Sequence, residues 1–325
     1  MSTSPPSTIR AEEYLAPETL AQLAPFELRA KMIVEGITSG THRSPYQGLA
    51  VEFAQHRPYV AGDNLRHLDW KVFGRSDKLY LKQYQQETNL DVVILVDGSA
   101  SMRFGTMKVK PGWGGTEASR AAGTWTKWDC ATATAVAIAY LCLSQQDRVG
   151  VGVFADELRQ QVRRSSARTQ WRTIVQTLSV QPVDSAANFA KVADQVLGKI
   201  TNRALFFVLS DFLDDPAAIR GALARFRYRR HDVVLLQILD RQELRFSLDE
   251  AAPFEGLEGE GRVLVDPRAV REAYLEAMKQ QVDAVSSAAR GFGYDFLQLD
   301  SHESVGPALG KLLARRAAGA RKSGA

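Results

Sequence analysis

The sequence predicts an α/β protein with a doubly wound, mostly parallel sheet. Short apolar runs without a polar break recur from residue 90 onwards, and segments of helical periodicity separate them. Unbroken apolar strands are typical of parallel sheets that are covered on both faces. Right-handed crossovers between parallel strands then place helices on both sides of the sheet.

Five apolar runs are predicted to form the strands of this sheet, at 92–96, 149–154, 205–209, 233–239 and 294–299. Helices are predicted at 128–145, 169–180, 188–200, 215–229, 266–290 and 304–316. Residues 241–265 alternate in polarity and contain several glycines, so they predict a β-hairpin excursion between the fourth strand and the long helix.

The same patterns divide the chain into four parts, 1–16, 17–88, 89–300 and 301–325. The first is rich in Ser, Pro and Thr and is expected to be disordered. The second is expected to be a helical and α+β extension, with two short helices within 17–36 and strands at 49–53 and 79–84. It has many charges and few core residues, so its part from residue 40 is expected to pack against the α/β domain. The fourth is a closing helix with a basic tail.

Composition excludes several classes of protein. Apolar residues make up 45% of the 325 residues and charged residues 24%, which is typical of a soluble globular protein. The net charge of +4 does not indicate a nucleic-acid partner, and no apolar run reaches the roughly 18 residues of a membrane helix. Cys130 and Cys142 lie about 18 Å apart along one predicted helix and cannot form a disulfide within it. A reduced, cytoplasmic protein is expected.

Polar oxygens follow directly after two of the buried strands. Asp97, Ser99 and Ser101 end the run LDVVILVDGSASM, and Asp211 ends the run ALFFVLSD. Ligands of open α/β sheets bind at the carboxyl ends of the strands, and hard oxygens suit Mg²⁺, Mn²⁺ or Ca²⁺. The spacing alone leaves a second interpretation open, in which Asp97 and the two serines only form local turns with backbone N–H groups.

Two motifs carry a resemblance to known families. The D-x-S-x-S spacing resembles the metal-ion-dependent adhesion site of von Willebrand factor A domains. The preceding run, residues 52–90, resembles the signature of the bacterial family called domain of unknown function 58. The matching signature residues are Tyr59, Gly62, Asp63, Arg66, Asp69, Trp70 and Arg75. Neighbouring Asp and Arg residues usually form a structural ion-pair and turn network; direct contact with a partner is the other interpretation of this block.

The resemblance implies a von Willebrand factor A-like fold with an N-terminal α+β extension and an adhesion-type metal site. It also implies a MoxR-type AAA+ ATPase as partner and a chaperone-like role in the maturation or assembly of a client protein. Many members of the family carry N-terminal membrane helices, whereas this sequence has none, so a soluble member is implied.

The chain departs from the family pattern in the second loop of the site. The pattern supplies a threonine there, but the matching stretch VDSAANFAKV places Ala187 at that position. Ser185 or Asp184 are the available substitutes, and Asp211 matches the family's second acidic ligand. The cation, Mg²⁺ or else Mn²⁺ or Ca²⁺, is therefore expected to bind weakly.

Two function classes follow from this site. The first is a non-enzymatic interaction module, in which the cation binds a partner carboxylate. The alternative is a metal-dependent, phosphatase-like hydrolase that uses the cation as a Lewis acid. GWGGTE (112–117) lacks the Gly-Lys-Ser/Thr of a phosphate-binding loop and is expected to lie in a loop, 105–127, that influences access to the site. The basic run 225–231 complements a helix dipole. Nucleic-acid binding is the other interpretation of this run, and it would be a third function class.

Overall fold

The computed structural model describes residues 51–60, 68–86, 90–108, 123–167, 169–179, 183–250, 252–258, 261–303 and 305–312. Within these ranges, the residues up to 86 belong to one compact unit and those from Leu90 onwards to a second. The predictions for residues 1–36, for the segment 112–117 and for the basic tail lie outside the described residues.

The first unit is an antiparallel strand pair with a short helix between the strands. Strand β1, Val51–Pro58, pairs with β2, Tyr80–Gln86; strands were predicted at 49–53 and 79–84, but their pairing was not. Helix α1, Trp70–Ser76, was not predicted. The Asp69 carboxylate begins it, because its Oδ1 accepts hydrogen bonds from the N–H groups of Lys71 (3.0 Å) and Val72 (3.3 Å).

The second unit is built on one six-stranded sheet. Its strands are β3 Asp91–Asp97, β6 Arg148–Phe154, β7 Leu158–Ser165, β8 Leu205–Ser210, β9 Asp232–Leu239 and β12 Asp295–Asp300. They are arranged in the order β12-β9-β8-β3-β6-β7, and every neighbouring pair is parallel except β6 with β7. Two further strand pairs are antiparallel, β4 Met107–Lys108 with β5 Thr124–Trp125 and β10 Ala252–Glu255 with β11 Arg262–Val265.

Helices cover both faces of this sheet. They are α2 Lys127–Ser144, α3 Gln170–Leu178, α4 Phe189–Leu197, α5 Pro216–Tyr228, α6 Arg241–Arg245, α7 Pro267–Gly291 and α8 at 305–312. Residues of α2, α3 and α8 share one apolar core with the sheet, and residues of α4, α5 and α7 share the other. The predicted doubly wound architecture is therefore confirmed.

The two cores explain why the central strand is apolar throughout. Val92, Ile94 and Val96 of β3 face the first core, whereas Val93 and Leu95 face the second, and all five are buried. Complete burial of such a side chain stabilises the fold by about 1.5–3 kcal/mol. Both cysteines lie in α2, buried and without a disulfide, as the helical spacing predicted.

The structure differs from the sequence expectations in two places. Strand β7 was not foreseen, because its sequence LRQQVRRS lacks the apolar run of the other strands; it is an antiparallel edge strand whose residues are partly or largely exposed. The excursion at 241–265 begins with helix α6 and not with a strand, because Asp240 and Glu243 form a capping box around its first turn. The hairpin itself is confined to β10 and β11.

The basic run at 225–231 lies at the carboxyl end of α5. Arg225 and Arg227 occupy the last turn, where positive charge is favourable for the helix dipole. Arg225 also donates a hydrogen bond to the backbone oxygen of Ala190 (3.0 Å) and pairs with Asp194 (3.1 Å). These contacts support the structural interpretation of this arginine over a role in nucleic-acid binding.

Candidate metal site at the carboxyl edge of the sheet

Asp97 ends the central strand β3 and is completely buried. Its Oδ1 accepts a hydrogen bond from the N–H of Ser99 (2.9 Å), and its Oδ2 accepts one from the Ser210 hydroxyl (2.6 Å). Since Ser210 ends the neighbouring strand β8, this bond joins the carboxyl ends of two adjacent strands. The carboxylate is thereby fixed in orientation without an ion-pair partner of its own among these contacts.

The two serines of the motif converge beside this carboxylate. A short 3-10 helix, Ala100–Arg103, follows Ser99 and brings the Ser99 and Ser101 hydroxyl oxygens to 3.1 Å from each other. The loop is held by its backbone: the Gly98 N–H donates to the Phe154 oxygen (2.7 Å), and the Gly98 oxygen accepts from the Val183 N–H (2.8 Å). Three oxygen-bearing side chains therefore share a rigid turn.

Asp211 lies at the same edge, but its carboxylate is already ion-paired. Its Oδ2 accepts a hydrogen bond from the Lys127 ammonium (2.8 Å), and the same ammonium contacts Glu243 Oε1 (2.6 Å). Lys127 begins α2, and its side chain is only 1% exposed. Burial alone would lower the pKa of Lys127, but the charges of Asp211 and Glu243 more than offset burial and raise it. The ammonium is therefore a permanent positive charge behind the site.

The second loop of the site contributes no side-chain oxygen that contacts the serines. Ala187, the residue that the sequence comparison predicts at the position of the family's threonine, has no side-chain oxygen, and Asn188 caps α4 by accepting from the Lys191 N–H (2.9 Å). The Ser185 hydroxyl donates to Asp156 Oδ1 (3.1 Å), while its backbone oxygen accepts from the Ala100 N–H (3.0 Å). Asp184 pairs with Arg103. Neither proposed substitute is directed towards Asp97 in these contacts.

The electrostatics of the edge favour a cation. Burial, followed by the negative charge of Asp211, raises the pKa of Asp97 to about 7 against the opposing effect of the hydrogen bonds from Ser210 and Ser99. An ionised carboxylate without water around it is costly unless a positive charge compensates it. A divalent cation beside Asp97 would provide this compensation.

The residues present fit such a cation. Mg²⁺ binds oxygen ligands at 2.0–2.1 Å in an octahedron, in which two adjacent ligands lie about 3 Å apart; the two serine hydroxyls have this separation. Carboxylate and hydroxyl oxygens are the donors that Mg²⁺ and Mn²⁺ prefer. Within the described ranges, no group of three His, Cys, Asp or Glu side chains is arranged to hold a metal, so the hydroxyls are necessary parts of this ligand set.

A second polar cluster lies at the ends of β9 and β12. The buried Asp240 carboxylate accepts hydrogen bonds from the Thr106 hydroxyl (2.6 Å) and the Ser301 hydroxyl (3.1 Å), and it lies 3.1 Å from His302 Nε2. The same imidazole nitrogen contacts Thr106 (3.0 Å). The Nε2 atom of His302 thus contacts both Asp240 and Thr106. In a catalytic triad the two ring nitrogens contact different partners, so this cluster is not a triad. The cluster fixes Thr106, which directly precedes β4, to the sheet edge. The predicted loop 105–127 is interrupted by β4 and β5, and its last residue, Lys127, begins α2.

Four of the seven signature residues are described. Asp69 is buried and caps α1, whereas Trp70 is 64% exposed and Arg75 is exposed. The Tyr59 N–H donates to the Leu79 oxygen (2.9 Å). Gly62, Asp63 and Arg66 lie outside the described residues. The structural interpretation therefore applies to Asp69, and the large exposed face of Trp70 leaves partner contact as its role to be tested.

Sequence reasoning missed Lys127 and Glu243. The D-x-x-E spacing of Asp240 and Glu243 is a capping-box signal that the sequence does carry. For Lys127, the sequence shows a single charge between two tryptophans at the start of a largely apolar helix. Their encounter depends on the tertiary fold, since 84 residues separate Lys127 from Asp211.

Fold and site together define the class of protein. A central parallel sheet in the order given, with one antiparallel edge strand and a D-x-S-x-S loop after its central strand, is a von Willebrand factor A-like domain. The chain belongs to the family described as "Protein of unknown function DUF58", whose model matches residues 55–284.

Relatives with a known sequence include "Uncharacterized protein Mb1516" of Mycobacterium bovis and "Uncharacterized protein Rv1480" of Mycobacterium tuberculosis. Each is 26% identical to this chain over 302 residues, which are 91% of this chain and 88% of the relative. The match extends over nearly the whole length of both proteins, so it includes the N-terminal extension as well as the α/β domain.

Solved structures with a similar fold include BatB from Bacteroides thetaiotaomicron, at 15% identity and a TM-score of 0.42, covering 71% of this chain and 100% of that chain. The SpRpn10 VWA domain matches at 12% identity and a TM-score of 0.35, covering 70% and 95%. Among the described residues, no helix is both long enough and apolar enough to cross a bilayer.

Proposed function

We propose that the chain is a protein-interaction module that holds a divalent cation, Mg²⁺ or Mn²⁺, beside Asp97, Ser99 and Ser101. The cation keeps an open coordination position, at which a carboxylate of a partner protein binds. The observation that carries the proposal is the completely buried Asp97 carboxylate next to two converging hydroxyls. No chemical step at the domain itself is needed for this function.

The ion pair of Lys127 with Asp211 sets the strength of the proposed site. The Lys127 ammonium compensates the negative charge of Asp211, so this carboxylate does not act as a free anion towards the cation. Asp211 instead contributes to the electrostatic potential at the site. Asp97 is then the main charged ligand, and Ala187 provides no hydroxyl in place of the missing threonine. Binding of the bare cation is weak, and a partner carboxylate completes both its coordination and its charge balance.

The partner class comes from the resemblance to the family. A MoxR-type AAA+ ATPase is the expected partner, and it supplies the energy of ATP hydrolysis that a chain without a phosphate-binding loop does not generate. A client protein whose maturation requires this pair is the expected second partner. A non-enzymatic role in the cytoplasm is part of the same proposal.

Calorimetric titration with Mg²⁺ and Mn²⁺ tests the cation. Asp97→Asn keeps the size of the side chain but removes its charge, so it should abolish measurable binding, whereas Ser99→Ala should weaken it. Asp249→Asn, an exposed carboxylate on the loop after α6, is the matched control and should bind like the unchanged protein. Equal binding by the unchanged protein and Asp97→Asn would make the serines local turn formers.

A capture experiment tests the partner. The tagged protein is incubated with the purified ATPase from the same host, with and without a chelator, and Asp97→Asn is included. Chelator and substitution should both reduce complex formation. The hydrolase alternative is examined on the same preparations: turnover of p-nitrophenyl phosphate that requires Mg²⁺ or Mn²⁺ and is lost in Asp97→Asn would replace the interaction module by an enzyme.

A further inference from the structure

A cleft lies along β3 and β6 and begins at the amino-terminal end of β6. It has a volume of about 640 Å³ and is lined by β3 from Val93 to Leu95, by β6 from Arg148 to Gly152, by β7, and by Lys199 and Ile200 after α4. Asp91, near this end, and Asp97 are the first and last residues of β3. At about 3.3 Å per residue they are roughly 20 Å apart, so Arg148, which contacts Asp91, lies far from the candidate metal site, whereas Leu95 of the cleft lining lies about 7 Å along β3 from Asp97.

Two glycines on β6 shape the cleft. Gly150 and Gly152 pair with Val93 and Leu95 of β3, so they belong to the sheet face that α4 covers. A Cβ atom at Gly150 would lie 2.9 Å from Arg164 Cγ and 2.9 Å from the Val162 oxygen. Glycine inside a strand often marks the close approach of another group. Here it allows the Arg164 side chain to cross β6.

The crossing arginine reaches a buried carboxylate. Arg164 donates to Asp91 Oδ2 (2.6 Å), while Arg148 Nη1 lies 3.3 Å from Asp91 Oδ1. The latter contact lacks hydrogen-bond geometry, since this oxygen has no hydrogen-bond partner. Arg148 is 46% exposed, compared with 18% for Arg164. Arg164 is thus fixed by Asp91, and the Arg148 guanidinium retains donors for a ligand.

The cleft is strongly cationic. Four basic side chains line it: Arg148, Arg163, Arg164 and Lys199. Among the described residues, Asp91 is the single carboxylate that contacts these cations there. The Lys199 ammonium contacts the neutral Gln161 side chain (3.1 Å). Like charges gathered around one cleft repel each other, and a bound anion relieves this repulsion.

We propose that this cleft binds a small organic anion, whose carboxylate or phosphate group contacts Arg148 and Lys199. A guanidinium binds both kinds of oxyanion through paired hydrogen bonds. Val93 and Ile200 provide apolar surface for the rest of the molecule. The volume lies within the 300–1,000 Å³ that is usual for small-molecule sites, which favours a compact ligand over an extended acidic polypeptide.

The test uses the full-length protein and three probes in calorimetric titrations: inorganic phosphate, adenosine monophosphate and hexanoate. Adenosine monophosphate tests a phosphate on a large body, and hexanoate tests a carboxylate on an apolar chain. At least one of the two should bind more tightly than inorganic phosphate. Arg148→Gln and Lys199→Gln should each weaken that binding about tenfold or more, because each removes a charge-assisted hydrogen bond.

Matched controls come from the same molecule. Lys191→Gln changes an exposed lysine of α4, and Arg220→Gln an exposed arginine of α5; neither lines the cleft. Both controls should bind the probe like the unchanged protein, and circular dichroism should show all four variants folded. The proposal is overturned if no probe binds at about 10 mM, if Arg148→Gln and Lys199→Gln leave binding unchanged, or if only a glutamate-rich peptide binds.

Discussion

Replacing Lys127 with Met perturbs the charge balance behind the candidate metal site. The two side chains are similar in length, but Met has no charge and no hydrogen-bond donor. In the unchanged protein, the Lys127 ammonium lies 2.8 Å from Asp211 and 2.6 Å from Glu243, and all three side chains are largely buried. Lys127→Met therefore leaves two neighbouring carboxylates without their shared cation.

The expected loss of stability is large. Removing one member of a buried ion pair destabilises a protein by about 3–5 kcal/mol, since the remaining charge is buried without compensation. For a domain of this size, each kcal/mol corresponds to about 2–4 °C in Tm. Lys127→Met should therefore lower Tm by roughly 6–20 °C in the absence of divalent cations.

The same substitution should strengthen the response to a divalent cation. Freed from the ammonium, Asp211 adds its full negative charge to the edge at which Asp97 lies. Mg²⁺ should therefore raise the Tm of Lys127→Met more than that of the unchanged protein, because a ligand that binds the folded state stabilises it. If Lys127 had a purely structural role, Lys127→Met would lower Tm but would not increase the rise of Tm that Mg²⁺ produces.

The assays are urea unfolding and differential scanning calorimetry, each with and without Mg²⁺. Lys191→Met, an exposed lysine on α4, is the control and should change stability little. Adding Glu243→Gln to Lys127→Met should recover part of the loss, because one of the two uncompensated carboxylates is removed. A free energy of unfolding within about 1 kcal/mol of the unchanged protein would refute the assigned role of Lys127.

Three further predictions concern single contacts. Burial raises the pKa of Asp147 to about 7, so its contribution to stability is complete below about pH 4 and is lost as pH rises through 7; Asp147→Asn should remove this part of the decline in urea unfolding between pH 4 and 8, and parallel profiles would contradict it. Gly150→Ala should lower the free energy of unfolding in urea by about 1–3 kcal/mol, because the new Cβ would lie 2.9 Å from the Val162 oxygen. An unchanged midpoint of urea unfolding would contradict this and would show that β7 shifts to accommodate the methyl group. Ser210→Ala should cost about 1–3 kcal/mol in thermal unfolding, since Asp97 Oδ2 loses its donor; a neutral result would mean that water replaces the hydroxyl.

The strands that are buried on both faces of the sheet could be predicted, because this burial requires an uninterrupted apolar sequence. The run from Val92 to Val96 contributes alternately to the two cores, so each of its residues has to be apolar. Strand β7 has no such requirement, because it lies at the edge of the sheet and is largely exposed. Its polar sequence therefore resembles a loop, and only its pairing with β6 makes it a strand.

The candidate site shows the same division between local and distant information. Asp97, Ser99 and Ser101 lie within five residues, so their spacing predicts that their oxygens are close together, and backbone contacts of Gly98 with Phe154 and Val183 hold the loop in place. The Lys127–Glu243 contact joins residues 116 positions apart, and no local pattern signals it. Ser185 illustrates the reverse error: its position in the sequence suited a ligand, but its hydroxyl is directed to Asp156.

The net charge of the site cannot be counted from its acidic residues alone, because the buried Lys127 ammonium lies beside them. With Asp211 compensated by Lys127, the carboxylate left to attract a cation is Asp97, and burial makes its ionised form costly. Under the proposed function, a cation that binds here weakly by itself binds more tightly once a partner carboxylate joins it, because the second anion shares its charge. Metal and partner should therefore bind cooperatively, each increasing the affinity of the other by the same factor.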